Sequence, residues 1–186
     1  MNQALRDLVN ALDSANRIAI LLHISPDGDT CGSALALRRA FVLRGKHAVA
    51  VCDDPVPRIY AHLWGADAVV TPEAVLGETF DLALAVDVGD RGRLGRAAAV
   101  FDRALHTAQV DHHGTNPGYA HINHLQTPLS ATGVLAERVI DALGVPIDLE
   151  IARCLYIAVV TDTGNFKQQN TDAAALRLGA RCLDAG

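Results

Sequence analysis

Aromatic residues make up only 4% of this 186-residue chain, which excludes a core of stacked rings and leaves Ala, Val, Leu and Ile to fill the interior. Basic runs are missing too. Lys and Arg number 16 against 21 Asp and Glu, giving a net charge of -5 and a pI of about 5.8. A long nucleic-acid footprint needs a stripe of Lys and Arg, and there is none. A small phosphorylated ligand held by metals and a few local donors remains admissible. The four cysteines, Cys31, Cys52, Cys154 and Cys182, contain no C-x-x-C pair, so neither a zinc finger nor a disulfide scaffold is in view. Free thiols in a reducing cytoplasm are expected. No apolar stretch approaches the ~18 residues of a membrane span. The opening MNQALRDLVNALDSAN lacks the basic start and apolar centre of a signal peptide. A soluble, cytoplasmic protein with no membrane partner is the expectation, and no internal repeat or low-complexity segment argues otherwise.

What is present is an alternation of short apolar runs with helical patterns. Half of the residues are hydrophobic, enough to cover both faces of a buried sheet. Leu5, Leu8, Val9 and Leu12 recur at helical spacing within residues 2–15. Strands are expected over 17–22, a short run apolar on both faces, and over 47–52, 82–87 and 105–110, with a short one at 68–70. Helices are expected over 31–44, around 59–64, over 94–101, and then over 130–143, 148–160 and 171–184. Gly45, Gly144 and Pro146 serve as punctuation. Strands alternating with helices predict an α/β fold with a mainly parallel sheet flanked by helices.

Ligands in such sheets sit beyond the carboxyl ends of the strands. Three of the expected strands finish directly in His or Asp: His23, Asp87 and Asp111. Four clusters lie at that edge. The first is His23-Ile-Ser-Pro-Asp27-Gly-Asp29, where Pro26 stiffens the approach and Gly28 is expected to permit a tight bend between two carboxylates. Alone, a D-x-D loop is also an ordinary turn. The second is Asp87-Val-Gly-Asp90. Asp87 follows an apolar run, where a charge must be paired or metal-bound; Asp90 supports either the site or a helix N-cap. Asp111-His112-His113-Gly114 forms the third, with adjacent imidazoles suited to different tasks or to a surface turn. The fourth is Thr161-Asp162-Thr163-Gly164-Asn165-Phe166, an exit loop with an inward carboxylate or a helix C-cap. Arg91 and Arg93 read as a solvated helix start, the alternative being that they face the phosphate edge, and Cys31 reads as a small packed side chain.

So many carboxylates at one edge repel one another, and no Lys or Arg lies inside these clusters to neutralise most of them. Divalent cations resolve the conflict. Carboxylate and imidazole ligands without thiolate favour Mn²⁺ or Mg²⁺ over structural zinc, and a pair of such ions ~4 Å apart can activate water and hold phosphoryl oxygens.

The four clusters, in this order, resemble the motifs of the DHH phosphoesterases, named for the triplet seen here as Asp111-His112-His113. The likeness runs from His23 to about Ala185. Within the family, HISPDGDTCGSALAL, VDVGDRGRLG, DHHGTN, SATG at 130–133 and TDTGNF are most similar to the nano-RNase/pAp-phosphatase type. The resemblance implies hydrolysis of 3′-phosphoadenosine 5′-phosphate and of very short RNAs, with two Mn²⁺ ions or Mg²⁺ in their place. It implies that His23, Asp27 and Asp87 hold one metal, that Asp29, Asp87, His112 and Asp162 hold the other, that His113 contacts the scissile phosphate, and that Asp111 orients the histidines. The ligand partner would be a small nucleotide or short RNA. Val134 and Gln168 depart from the usual pattern and loosen the expectation of substrate. Members carry a second, substrate-gripping domain, and full-length relatives often form homodimers. Residues 1–186 are therefore read as the catalytic domain of a truncated chain, binding metal with weak turnover. The family's pyrophosphatase and cyclic-dinucleotide phosphodiesterase branches are the enzymatic alternatives. A non-catalytic nucleotide-binding module is the alternative of another class.

Overall fold

The computed structural model describes residues 1–186. The chain runs α1 (Gln3–Ser14), β1 (Arg17–Leu21), α2 (Gly28–Leu43), β2 (His47–Val51), α3 (Pro72–Val75), β3 (Leu82–Val86), α4 (Ala98–Arg103), β4 (His106–Asp111), β5 (Ile122–Leu125), α5 (Thr132–Ala142), α6 (Leu149–Asp162) and α7 (Ala173–Asp184). The strands form one sheet in the order β2-β1-β3-β4-β5, every pair parallel. The α/β class expected from sequence is the observed one. No helix is long and apolar enough to cross a membrane.

Alternation along the strands explains the layering, because successive side chains point to opposite faces. Ile18, Ile20, Leu82, Leu84, Val86, Ala108 and Val110 enter a core of 41 residues beneath α1, α2, α5, α6 and α7. Ala19, Leu21, Ala83 and Ala85 enter a smaller core of 12 on the other face, closed by Phe80, Leu94, Val100 and Phe101. Small alanines on the strands let helices sit close to the sheet with few rings, as the aromatic poverty requires.

Several expectations are corrected. The segment 68–70 contributes only a single bridge, Val51 to Val70, after a 3₁₀ turn at Ala66–Ala68. The helix expected over 94–101 is a 3₁₀ segment, Arg91–Ala97, that kinks at left-handed Gly95 (φ 56°) into α4. Edge strand β5 has no counterpart among the strands expected from sequence. Helix α2 starts at Gly28, three residues early, because the Asp27 carboxylate caps it by accepting from the N–H groups of Asp29 and Thr30. The tight bend belongs to Ser25 (φ 51°), not to Gly28. Gly28 has another purpose: a Cβ there would overlap the Thr161 side chain on α6. Helices α2 and α6 thus meet closely enough to bring Asp162 over the first cluster.

All four cysteines are free and buried. Burial raises their thiols, Cys52 to about 11 and Cys154 and Cys182 to about 12, so none offers a thiolate near neutral pH.

Candidate metal centre

The strand order reverses between β1 and β3, which are hydrogen-bonded neighbours. Beyond that switch point a crevice opens at the carboxyl ends. His23 emerges there from β1 and Asp87 from β3. Asp87 adopts φ 62°, a left-handed conformation that a residue with a Cβ rarely takes, and its N–H donates to the Val110 carbonyl at 3.0 Å. This turn at the strand end directs a nearly fully buried carboxylate, 2% exposed, into the crevice.

The carboxylate of Asp87 faces both ways. Its Oδ2 lies 3.7 Å from His23 Nε2 and its Oδ1 lies 3.7 Å from His112 Nε2. Around His23, Asp27 Oδ1 stands at 3.6 Å. Around His112, Asp162 Oδ2 stands at 3.2 Å and Asp29 Oδ2 at 3.9 Å. Two triads result, His23-Asp27-Asp87 and Asp29-His112-Asp162, with Asp87 also grouped with His112 and His113. All six residues expected as metal ligands are therefore drawn together.

The imidazoles are prepared differently for different work. A carbonyl oxygen can only accept, so Nδ1 of His112 donates to Leu129 O at 3.0 Å, whereas Nδ1 of His23 stands between the Ile24 carbonyl oxygen at 2.8 Å, an acceptor, and Arg93 Nη2 at 2.9 Å, a donor. His112 then presents a bare Nε2 to the carboxylates, the tautomer a cation needs, and the His23 Nε2 faces Asp27 and Asp87. His113 instead binds Asp111 Oδ1 through Nδ1 at 2.7 Å. Asp111 is fully buried, and its Oδ2 accepts from Asn116 at 2.7 Å.

Charge follows the same division. Burial first, and then the Asp29 and Asp27 charges, hold the Asp87 carboxyl well above the ordinary range. Burial and Asp162 do the same to Asp29, and burial raises Asp162 against the pull of His112. Burial also works against Asp27 and Asp111, but is outweighed: hydrogen bonds and charge from His23 lower Asp27, and those from His113, with Asn116, lower Asp111. The Asp111 hydrogen bond in turn raises His113. A centre whose deepest carboxylates are held reluctantly as anions is one that a cation would relieve. Ligand atoms ~2.1 Å from one ion stand roughly 3–3.5 Å apart, so the histidine-to-carboxylate separations of 3.2–3.9 Å, in triads whose ligand atoms all lie within 4.8 Å of one another, close around an ion with modest adjustment. The residues fit a pair of hard divalent ions.

A sequence model described as the DHH family, N-terminal domain, matches residues 17–159. The chain belongs to the DHH family. It is 35% identical to the bifunctional oligoribonuclease and PAP phosphatase NrnA of Thermus thermophilus over 170 residues, 91% of this chain and 50% of that protein. An exopolyphosphatase-related protein of Bacteroides fragilis superposes with a TM-score of 0.90 at 22% identity, covering 98% of this chain and 56% of that one. RecJ of Thermus thermophilus, solved in complex with Mn²⁺, gives a TM-score of 0.58 at 17% identity, over 96% of this chain and 27% of that one. The last two establish the fold. The chain spans about half the length of the curated relatives it matches.

Within this DHH domain the remaining residues are placed as follows. Asp90 is a helix N-cap, accepting from Gly92 N–H at 2.7 Å. Asp162 is the last residue of α6 rather than part of an exit loop, and its carbonyl accepts from Asn170 Nδ2 at 2.9 Å. Arg91 is solvated and paired with Asp102. Arg93 is not: its Nη2 lies 2.9 Å from His23 Nδ1 and 3.5 Å from Nε2, at the mouth of the centre. That corrects the expectation of a solvated helix start for both arginines. The Ile24 N–H donates to Arg93 O at 2.8 Å, which holds the arginine main chain against the first cluster. Thr132 and Ser33, absent from the sequence-based ligand set, touch Asp87 and Asp29. Their signal was faint, since hydroxyl residues recur throughout such loops.

Proposed function

We propose that this domain is the catalytic half of a metal-dependent phosphoesterase acting on very short RNAs and on 3′-phosphoadenosine 5′-phosphate. The observation that carries the proposal is the Asp87 carboxylate between His23 and His112, with the Nε2 of each histidine turned toward it. The Thermus relative, named as oligoribonuclease and PAP phosphatase, supports the substrate class. Divalent ions held by the two triads, Mn²⁺ foremost given the oxygen and imidazole ligands, would supply an activated water and a Lewis acid for the phosphoryl oxygens.

The chain's own residues divide the remaining work. Asp27, Asp29, Asp87 and Asp162 contribute four negative charges, which two divalent ions would balance. A phosphoryl dianion then needs cations from elsewhere. Arg93, which pairs with no carboxylate and lies beside His23, is one. Protonated His113 is the other: Asp111 grips its Nδ1 and leaves Nε2 to face the substrate, where it stabilises charge or protonates the leaving oxygen. Asp111 orients that ring, and its hydrogen bond raises the imidazole pKa, which favours the protonated form. Substrate grip beyond the phosphate is assigned to a second domain, in keeping with the chain's half-length match to its relatives.

The decisive assay compares the 186-residue chain with a version extended to the length of its relatives. Substrates are 3′-phosphoadenosine 5′-phosphate, a short RNA, cyclic di-AMP and pyrophosphate, each with Mn²⁺. The first two should be cleaved, and far faster by the extended protein. Preference for cyclic di-AMP or pyrophosphate would overturn the substrate assignment, and inactivity of the extended protein on all four would overturn the enzyme reading.

A further inference from the structure

Thr132, the first residue of α5, connects the two carboxylates that matter most. Its N–H donates to Asp29 Oδ2 at 2.6 Å and its Oγ1 donates to Asp87 Oδ1 at 2.8 Å. All of this is fully buried or nearly so. The residue before it, Ala131, cannot cap the helix through its side chain, so the Asp29 carboxylate caps α5 from a distance. Gly133 N–H donates to Asp29 Oδ1 at 2.9 Å, and Ser33 Oγ donates to the same oxygen at 3.0 Å. Both lone pairs of Oδ1 are thereby used. Oδ2 keeps one free, on the side of His112 Nε2.

Any residue but proline at position 132 would supply the N–H; only Thr or Ser supplies a hydroxyl on the β-carbon. The torsion that turns an Asp carboxylate is broad and soft, so without that donor Asp87 is free to rotate away from the setting in which one oxygen faces His23 and the other His112. The main chain beneath it is held separately, Thr30 Oγ1 donating to Val86 O at 2.9 Å. Position 132 is itself fixed, since a Cβ on the neighbouring Gly133 would press within 2.7 Å of Ala158 on α6.

We propose that Thr132 is a positioning residue: its hydroxyl sets the rotation of Asp87 so that one carboxylate serves both halves of the centre. The inference rests on the metal-centre reading and adds a residue to it. The test titrates Mn²⁺ calorimetrically into the parent chain and into Thr132→Ser, Thr132→Ala and Thr132→Val, with circular dichroism to follow folding. Ser and Ala variants lose the same methyl group and differ by one oxygen, so packing cancels between them. The Ser variant should match the parent, and the Ala and Val variants should bind about 10–100-fold more weakly, the usual loss when a residue orienting a ligand is removed. Equal affinity in the Ser and Ala variants would overturn the proposal. So would collapse of the fold in the Ala and Val variants alone, which would make the hydroxyl a folding device. A parent chain that takes up no Mn²⁺ would be a different failure, of the metal centre itself.

Discussion

Asp111 holds His113 through a 2.7 Å contact between Oδ1 and Nδ1, a fully buried carboxylate against a half-exposed ring. The hydrogen bond is the largest influence on the imidazole and raises its pKa above the ordinary 6.5. Asp111→Asn keeps the shape and removes the charge. The His113 ring should then titrate at lower pH than in the parent, as read from its ring-proton NMR shifts in the metal-free chain. An unchanged midpoint would show that Asp111 does not govern that proton.

Metal should reverse the pH dependence of stability. In the metal-free protein Asp29 and Asp87 have folded pKa values raised well above 3.8. Between that value and the raised ones the folded state binds more protons than the unfolded state, so stability falls as pH rises. His113 works in the same direction, because its raised pKa adds stability that is lost as pH climbs past it. Asp27 and Asp111 are lowered below 3.8 and contribute stability that disappears only in stronger acid. Under chelator, Tm should therefore rise as pH is lowered toward 3.8, with His124 opposing the trend because burial lowers its imidazole pKa below 6.5. With saturating Mn²⁺ it should fall over the same range, since bound carboxylates must be deprotonated.

Arg93→Ala should weaken binding of inorganic phosphate to the Mn²⁺-loaded chain about tenfold or more, the scale of one lost charge-assisted contact. Calorimetry distinguishes this from metal loss, because Mn²⁺ affinity should be unchanged or higher once the cation beside His23 is gone. Undiminished phosphate binding would remove Arg93 from the substrate site.

The approach of α2 to α6 can be tested at Gly32, where a Cβ would overlap the Cys154 carbonyl oxygen on α6. Gly32→Ala should cost about 1–3 kcal/mol and lower Tm by roughly 2–10 °C in a chain of this size. A Tm equal to the parent's would mean that the helices can separate freely, and that their close approach does not place Asp162.

The parts of the molecule that could be read from sequence share a physical cause. Strands β1 and β3 are apolar runs ending at Leu21 and Val86, with His23 and Asp87 just beyond them, and β4 ends in Asp111 itself, so a polar residue marks each boundary. The site residues that follow them were legible because a carboxylate after such a run must be paired or bound to a cation to be tolerated there. Strand β5 was not legible: Ile122-Asn-His-Leu125 has no hydrophobic pattern of its own, and it is held by pairing with β4 and by Gln109 bonding Asn123. The start of α2 was misplaced because its cap, Asp27, also belongs to the metal cluster, and one residue with two tasks gives an ambiguous signal. The contacts of Thr132 and Arg93 were not legible for another reason. Their partners lie 45 and 70 residues away, and only the closed fold brings them together.

The most direct test of the central claim is anomalous scattering at the manganese edge from crystals of this chain grown with Mn²⁺. Two peaks about 3.5–4 Å apart are predicted, with Asp87 between them, His23 on one and His112 on the other. A single peak, or peaks remote from Asp87, would contradict the account.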